Sequence, residues 1–126
     1  TRAEWELAMC REDARVARYG RAASVLVIEV TLPAAAADQR HRRRVATAIR
    51  SQARETDRVA QVSPDRFLVL LPETEEREAT ALADRVTAAC RDALPAIARV
   101  RAATASPAGG GSLADALRLA TARLET

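Results

Sequence analysis

The chain has 126 residues, of which 48% are hydrophobic and only 2% aromatic. This length and composition fit one globular domain with an aliphatic core and exclude a disordered chain. The formal net charge is only +3, and acidic residues are interspersed among 20 basic residues that are all arginine. Such a pattern is typical of solvated helix faces and excludes an obvious nucleic-acid footprint.

The sequence contains no apolar run near the roughly 18 residues of a membrane span, and no signal peptide is visible. Cys10 and Cys90 match no metal-ligand spacing, so we predict that both are small core residues in a reducing compartment. We therefore expect a cytoplasmic domain without membrane contact. Because the sequence opens with helical character and stops abruptly at Thr126, we interpret it as a domain excised from a longer signalling protein.

The first half of the chain predicts a helix, a strand and a second helix. Residues 1–19 have an amphipathic pattern that ends at Gly20. Residues 23–30 carry β-branched side chains on both faces, which is typical of a central strand covered on both sides. A second helix is predicted over residues 42–53, where apolar residues recur at helical spacing.

The second half predicts a β-hairpin, then a helix, a strand and a last helix. Residues 58–62 and 67–71 are short strands joined by a turn over residues 63–66. Thr74 is the expected cap of the next helix, which carries the buried stripe Ala79, Leu82, Val86 and Cys90. A fourth strand fits residues 99–105, and Ser112 with Asp115 forms the expected capping box of a helix reaching Leu124.

The resulting order is α-β-α-β-β-α-β-α. It predicts an α+β fold with a βαββαβ core, a mainly antiparallel sheet, and an extra helix at each end. Because unrelated domains share this layout, the layout alone does not indicate a function.

The stretch from residue 45 to residue 90 contains motifs in a characteristic order. They are Arg54-Glu-Thr-Asp57, the hairpin sequence Ser63-Pro-Asp-Arg-Phe67, the strand end Leu71-Pro-Glu-Thr74, and Ala83-Asp-Arg-Val86 within a helix. This order resembles the second half of a GGDEF domain, the diguanylate cyclase family. Arg18-Tyr-Gly-Arg21 and the strand after it resemble the family's lead-in. The resemblance implies a single nucleotidyl cyclase-like, palm-like domain over residues 1–126.

Cyclases of this family hold divalent metal on carboxylates against the triphosphate of GTP. The resemblance places Glu29 and Asp65 at the two metal-carboxylate positions, so any vestigial Mg²⁺ site would use them. Judged from the residues alone, Glu29 in an apolar strand is expected to pair with a nearby arginine or to face solvent, because an unpaired buried carboxylate is costly.

The hairpin signature departs from the family pattern at most of its positions. Where the family has Gly-Gly-Asp/Glu-Glu-Phe, this chain has Ser63, Pro64, Asp65, Arg66 and Phe67. Glycine lets the backbone approach a nucleotide, whereas proline fixes φ and removes a donor. Arg66 reverses a charge beside any metal, and the family's guanine-binding segment after the first strand has no counterpart. We therefore predict a degenerate, catalytically inactive domain, a pseudo-diguanylate cyclase without a bound cofactor.

A second family site is better preserved. The resemblance assigns Arg54, Asp57 and Arg85 to the inhibitory-type site for cyclic di-GMP, with the expected five residues between Asp57 and the signature. Guanidinium groups suit phosphate and the guanine Hoogsteen edge, and a carboxylate accepts from guanine N–H groups. The alternative, that these are solvated residues inherited with the fold, stays open.

The basic run Arg40-His-Arg-Arg-Arg44 lies where the family has its nucleotide loop. Basic residues at the start of a helix oppose its dipole, so either an acidic or phosphate-bearing partner holds them or the helix end is solvated. His41 has no triad partner near it in sequence and is assigned no catalytic role.

The sequence thus favours a regulatory or interaction module that binds cyclic di-GMP through Arg54, Asp57 and Arg85. The alternative is a purely structural dimerisation or scaffold domain without nucleotide binding, and an active cyclase is disfavoured. Expected partners are cyclic di-GMP, neighbouring signalling domains or a second copy of the chain.

Overall fold

The computed structural model describes residues 2–125. Its four helices are α1 (Arg2–Tyr19), α2 (Gln39–Gln52), α3 (Glu76–Ala93) and α4 (Leu113–Leu124). Its four strands are β1 (Ala23–Thr31), β2 (Arg58–Ser63), β3 (Arg66–Pro72) and β4 (Arg99–Ala105), and a short 3₁₀ turn covers Ala34–Ala36. This order confirms the predicted α+β class, with a βαββαβ core and an added helix at each end.

The four strands form one sheet in the order β2-β3-β1-β4, and every neighbouring pair is antiparallel. β1 is central, as its β-branched sequence predicted, because its side chains are covered from both faces. Ile28 lies opposite Phe67 on one side and Ala102 on the other. The same register places Glu29 between Arg66 and Arg101.

Helices cover both faces of this sheet. Alternate residues of β1 point to opposite faces, so Leu26 and Ile28 pack in a core with α2 and α3, whereas Val25 and Val27 pack in a second core with α1 and α4. These four side chains of β1, and Ile49 of α2, are fully buried. The fold is therefore a three-layer arrangement in which β1 belongs to both cores.

The ends of α1 and α2 follow from local capping. Gly20 has φ +67° and donates its N–H to the Val16 carbonyl at 2.8 Å, which ends α1 as predicted. α2 begins at Gln39, three residues earlier than expected. Asp38 is its N-cap and accepts a hydrogen bond from the His41 backbone N–H at 2.9 Å. The start was missed because the first residues of α2 are polar and basic, and the prediction depended on apolar residues at helical spacing.

Of the two helix caps predicted for α3 and α4, one is wrong and one is confirmed. The expectation that Thr74 caps α3 is wrong, because the N-cap is Glu75, whose backbone N–H donates to Glu78 Oε1 at 3.1 Å. The Ser112–Asp115 capping box of α4 is confirmed. The Thr74 hydroxyl instead accepts a hydrogen bond from Arg54, described below.

The two cysteines have different environments. Cys90 is fully buried, as predicted, but Cys10 is exposed, so the expectation of a core position is wrong for that residue. Trp5 lies on the side of α1 that faces the core, and position 10 lies on the opposite side of the helix. No helix within residues 2–125 combines the length and apolar content needed to cross a bilayer.

Candidate functional site

Glu29 lies at the end of β1 beside the β2–β3 hairpin, in a cross-strand row with Arg66 and Arg101. Arg66 Nη2 donates to Glu29 Oε2 at 2.7 Å, and Arg101 Nη2 donates to Glu29 Oε1 at 2.7 Å. The Glu29 side chain is 22% exposed. The expectation that Glu29 pairs with a nearby arginine is therefore confirmed, and it has two such partners.

The two guanidinium groups determine the electrostatics of Glu29. Its pKa is lowered, first by the hydrogen bond from Arg101 and then by that from Arg66, and these outweigh the opposing effect of burial. Both oxygens already accept charge-assisted hydrogen bonds. A divalent cation would have to displace both arginines, and Arg66 would place a positive charge beside it, so this donor set does not fit Mg²⁺.

The hairpin turn is held by backbone hydrogen bonds. Its centre is Pro64 and Asp65, and the Asp65 carbonyl accepts a hydrogen bond from the Val30 N–H at 2.8 Å. Ser63 pairs with Arg66 across the turn, after an irregularity in β2. Asp65, the second predicted metal carboxylate, is exposed at the tip. Within residues 2–125 no three His, Cys, Asp or Glu side chains form a group that could hold a metal ion.

The other signature residue, Phe67, has a structural position. It is 2% exposed and packs in the core formed with α2 and α3. Because side chains alternate along β3, the Phe67 ring lies on the face of the sheet that packs against α2 and α3.

The predicted Arg-x-x-Asp site is at the opposite end of the hairpin. The Asp57 carboxylate accepts from the Arg54 backbone N–H at 2.8 Å and from its guanidinium at 3.4 Å. The Asp57 N–H donates back to the Arg54 carbonyl at 3.0 Å. With only 1% of its side chain exposed, Asp57 closes this turn from inside.

The Arg54 guanidinium is fixed by further contacts. It donates to the Pro72 carbonyl at 2.8 Å and to the Thr74 hydroxyl at 2.5 Å, which ties the start of β2 to the end of β3. Its side chain remains 55% exposed. Arg54 is thus held in one orientation while keeping a face open to solvent.

A depression of about 130 Å³ brings the three predicted ligand residues together. Arg54 and Asp57 lie on one wall, and Arg85 projects from α3 on the other. Arg85 is exposed and forms no ion pair within residues 2–125. The remaining lining residues are Gln52, Leu71, Thr74, Glu78 and Leu82.

Sequence reasoning missed three polar residues that line this depression, Gln52, Thr74 and Glu78, and the last two lie beside the arginines. Glu78 precedes Arg85 by seven positions and therefore shares its face of α3, a spacing that could have indicated it. Thr74 belongs to the quoted Leu-Pro-Glu-Thr motif but was interpreted as a cap. Both place hydrogen-bond acceptors beside the arginines.

The two candidate sites are separated along the hairpin. Glu29 and Arg66 lie at the turn end, whereas Arg54 and Asp57 lie where β2 begins. Five strand residues at about 3.3 Å each put the two ends roughly 17 Å apart. A ligand at one site would therefore not touch the other directly.

The basic run at the start of α2 is partly offset from within the chain. Asp38 accepts from the His41 backbone N–H and lies 2.7 Å from His41 Nδ1, and its pKa is lowered by these hydrogen bonds. A negative charge at the N-cap opposes the unfavourable effect of the arginines on the helix dipole. Arg40, Arg43 and Arg44 remain exposed.

The fold places the molecule in the class of nucleotidyl cyclase-like α+β domains. Residues 35–107, more than half of the chain, match the family model described as diguanylate cyclase, GGDEF domain. The chain therefore belongs to the GGDEF family.

Solved structures agree with this assignment. The GGDEF domain of PA1120 (YfiN or TpbB) from Pseudomonas aeruginosa is 25% identical with a TM-score of 0.83, over 98% of this chain and 86% of that one. The DgcB GGDEF domain from Caulobacter crescentus, in complex with c-di-GMP, is 16% identical with a TM-score of 0.77, over 96% and 80%.

A third similar structure is the diguanylate cyclase SiaD from Pseudomonas aeruginosa in complex with its activator SiaC. It is 21% identical with a TM-score of 0.80, over 94% of this chain. This chain spans half the length of the SiaD chain. A comparison with curated protein sequences gave no significant match.

Proposed function

We propose that this chain is a non-catalytic GGDEF domain that acts as a regulatory module and binds cyclic di-GMP at the Arg54–Asp57–Arg85 depression. The observation that carries the loss of catalysis is the double arginine clamp on Glu29, with 2.7 Å contacts to both oxygens. This carboxylate stands where the family holds its metal, and here its charge is already neutralised.

The hairpin turn supports the same conclusion. Pro64 cannot donate a backbone hydrogen bond to a phosphate, and its ring blocks the close approach that glycine permits. Arg66, at the fourth signature position, is committed to Glu29 and lies 3.9 Å from Glu125. In this proposal the signature is degenerate, and the hairpin end serves stability.

The nucleotide part of the proposal depends on the preorganised arginines. Arg54 is fixed by Pro72 and Thr74 but open on one face, and Arg85 faces it with no competing carboxylate partner within residues 2–125. The depression is too small to enclose a cyclic dinucleotide, so the ligand would lie across its mouth with phosphate or guanine against the guanidinium groups. The DgcB domain provides a family precedent for this ligand.

Turnover is tested by incubating the domain with GTP and Mg²⁺ and separating nucleotides by chromatography, with an active diguanylate cyclase run in parallel. We expect no cyclic di-GMP and no linear intermediate above the blank. Sustained product formation, abolished in a Glu29→Gln variant, would disprove the non-catalytic assignment.

Binding is tested by calorimetry with cyclic di-GMP. We expect Arg85→Ala to weaken binding by about 1–3 kcal/mol, the cost of one lost bidentate contact. Arg85 is the sharper choice than Arg54, because Arg54 also supports the fold. The matched control is Arg44→Ala, an exposed arginine outside the depression, which should leave affinity unchanged. Equal affinities for all three proteins would rule out this site.

The burial of Asp57 favours a second candidate, a scaffold domain without nucleotide binding. A carboxylate that is 1% exposed and saturated by Arg54 serves the turn and is poorly placed for a ligand. Under this alternative cyclic di-GMP gives no heat at tens of micromolar, while Asp57→Ala still lowers the melting temperature. The partners would then be neighbouring signalling domains or a second copy, and we place either form of the function in the cytoplasm.

A further inference from the structure

A cavity of about 720 Å³ lies between the first half of α1, the edge strand β2 and helix α4. We call it the α1 cavity. Its volume is within the range of about 300–1,000 Å³ in which protein pockets bind small molecules. None of the residues that line the Arg54 depression lines the α1 cavity, so the two are separate sites.

One wall of the α1 cavity is apolar. Trp5 and Met9 of α1 line it together with Leu68 of β3, and all three are buried in the core that the sheet forms with α1 and α4. Ala60 of β2 and Leu117 of α4 complete this wall and are partly buried against the same core. A wall of this kind suits the apolar body of a ligand.

Two hydrogen-bond donors of the lining have no partner within residues 2–125. The Trp5 side chain belongs to a residue that is only 6% exposed, and its Nε1 is buried without an acceptor. The Arg58 guanidinium is exposed and makes no hydrogen bond or ion pair. Buried donors without partners are rare in native domains. Because both groups are donors, the α1 cavity selects a ligand that carries acceptor atoms.

The charges of the lining place the acidic group of such a ligand. Glu4 and Glu6 lie on the α1 side of the cavity and repel an anion. On the strand side, Arg66 already donates to Glu29 at 2.7 Å, whereas Arg58 has no acidic partner in the part of the chain from residue 2 to residue 125. An anionic group is therefore directed to Arg58.

We propose that the α1 cavity binds a small amphipathic acid, with its carboxylate on Arg58 and its hydrocarbon body against Trp5 and Met9. The inference is independent of the nucleotide proposal, since no residue of the Arg54 depression takes part. Such a ligand contacts α1 and β2 at once and holds the first helix against the edge of the sheet. Binding to the folded form alone raises the melting temperature.

Octanoate is the probe for the first experiment, because it has an apolar chain and a single carboxylate. Trp5 is the only tryptophan, so its indole N–H gives one cross-peak in a ¹H–¹⁵N NMR spectrum. We expect octanoate to move this peak in a saturable way and to raise the melting temperature. An indole peak that stays in place up to about 20 mM octanoate, the weak-binding range for a ligand of this size, would overturn the proposal.

Two analogues with the same chain test the head group. We expect octanoate to bind about threefold or more tightly than 1-octanol, the gain from a partly exposed ion pair, and octylammonium to bind most weakly. Equal or tighter binding of octylammonium would show that Glu4 and Glu6 determine the charge preference, which contradicts the assignment of Arg58.

Arg58→Ala and Arg99→Ala form a matched pair of variants. Each arginine is exposed and begins an edge strand of the sheet, but only Arg58 lines the α1 cavity. Arg58→Ala should weaken octanoate binding about threefold to fivefold and leave the affinity for 1-octanol unchanged. Arg99→Ala should change neither. Equal octanoate affinities in the two variants would overturn the proposed contact.

A filling variant tests the location of the hydrocarbon chain. Ala60→Phe places a ring in the α1 cavity from β2 and should abolish the octanoate shift of the Trp5 peak while the circular dichroism spectrum stays unchanged. If that variant does not fold, Thr121→Phe fills the cavity from α4 and carries the same expectation. Undiminished octanoate binding in a folded filling variant would show that the acid binds elsewhere and would overturn the proposal.

Discussion

The Glu29 carboxylate is an acid whose pKa is lowered by its Arg101 and Arg66 hydrogen bonds. The folded state thus favours its charged form. This contribution to stability is fully present above the unfolded pKa near 4.3 and is lost as the pH falls through the folded pKa. Acid should therefore weaken the fold partly through this one side chain.

We predict that Glu29→Gln is less stable than the parent at pH 7 and that the difference shrinks as the pH falls from about 5 to 3. Urea midpoints at several pH values measure it. Glu55→Gln is the control, because Glu55 is exposed and has no ion pair within residues 2–125. A constant difference at every pH would show that the arginine clamp does not stabilise the fold.

A second residue-scale prediction concerns the thiols. Cys90 is fully buried, and burial raises the pKa of its thiol to about 11. At pH 8 a thiol reagent should label only Cys10 in the native domain and both cysteines in guanidinium chloride, since the thiolate is the reactive form. Labelling of Cys90 in the native domain would indicate that the α3 core opens readily.

Individual side chains also show which features of the structure could be predicted from the sequence. A partner for Glu29 was expected because a buried carboxylate needs one, but Arg101 lies 72 positions away and only strand register brings it there. The exposure of Cys10 was missed because residue type says less about burial than the helical phase set by Trp5. The ligand role of Arg54, Asp57 and Arg85 stays a prediction.

At the scale of elements, α4 receives a cap from a distant helix. Its own Ser112 caps one N–H, and Asp13 of α1 accepts a hydrogen bond from the Leu113 N–H at 2.9 Å. A free N–H at a helix start is otherwise unsatisfied. Asp13 thus joins α1 to α4 through a helix terminus.

We predict that Asp13→Ala lowers the free energy of unfolding by about 0.5–2 kcal/mol, the usual cost of losing a cap. Chemical denaturation measures this, and Asp84→Ala on the exposed side of α3 is the matched control with little expected effect. A loss no larger than that of the control would mean that Ser112 suffices.

Element order was predictable, and element ends were less so. Periodic apolar residues located every helix and strand, and the Ser112 cap was found because Asp115 completes its box. The start of α2 was missed because Asp38 is followed by polar and basic residues. Thr74 was the wrong cap because Arg54, distant in sequence, uses its hydroxyl, and no local pattern carries that information.

At the scale of the molecule, two cores share one central strand. Ile49 of α2 and Leu113 of α4 are both fully buried, on opposite faces of the sheet. Because β1 contributes to both cores, loosening one face should loosen the other, and unfolding should remain a single transition.

We predict that Ile49→Ala costs about 2–5 kcal/mol and that Trp5 fluorescence, which reports on the opposite face, shifts to the same denaturation midpoint as circular dichroism. Trp5 is the only tryptophan, so the signal is unambiguous. Separate midpoints for the two signals would show that the faces unfold independently.

The hydrogen bond between Asp13 and Leu113 joins residues 100 positions apart. On the ribosome, α1 emerges early, but the helix that covers its inner face is made only after all four strands. The nascent chain must therefore carry Trp5 and Met9 uncovered while the rest of this domain is made. That interval is the period in which the exposed apolar face of α1 makes this domain most prone to aggregation.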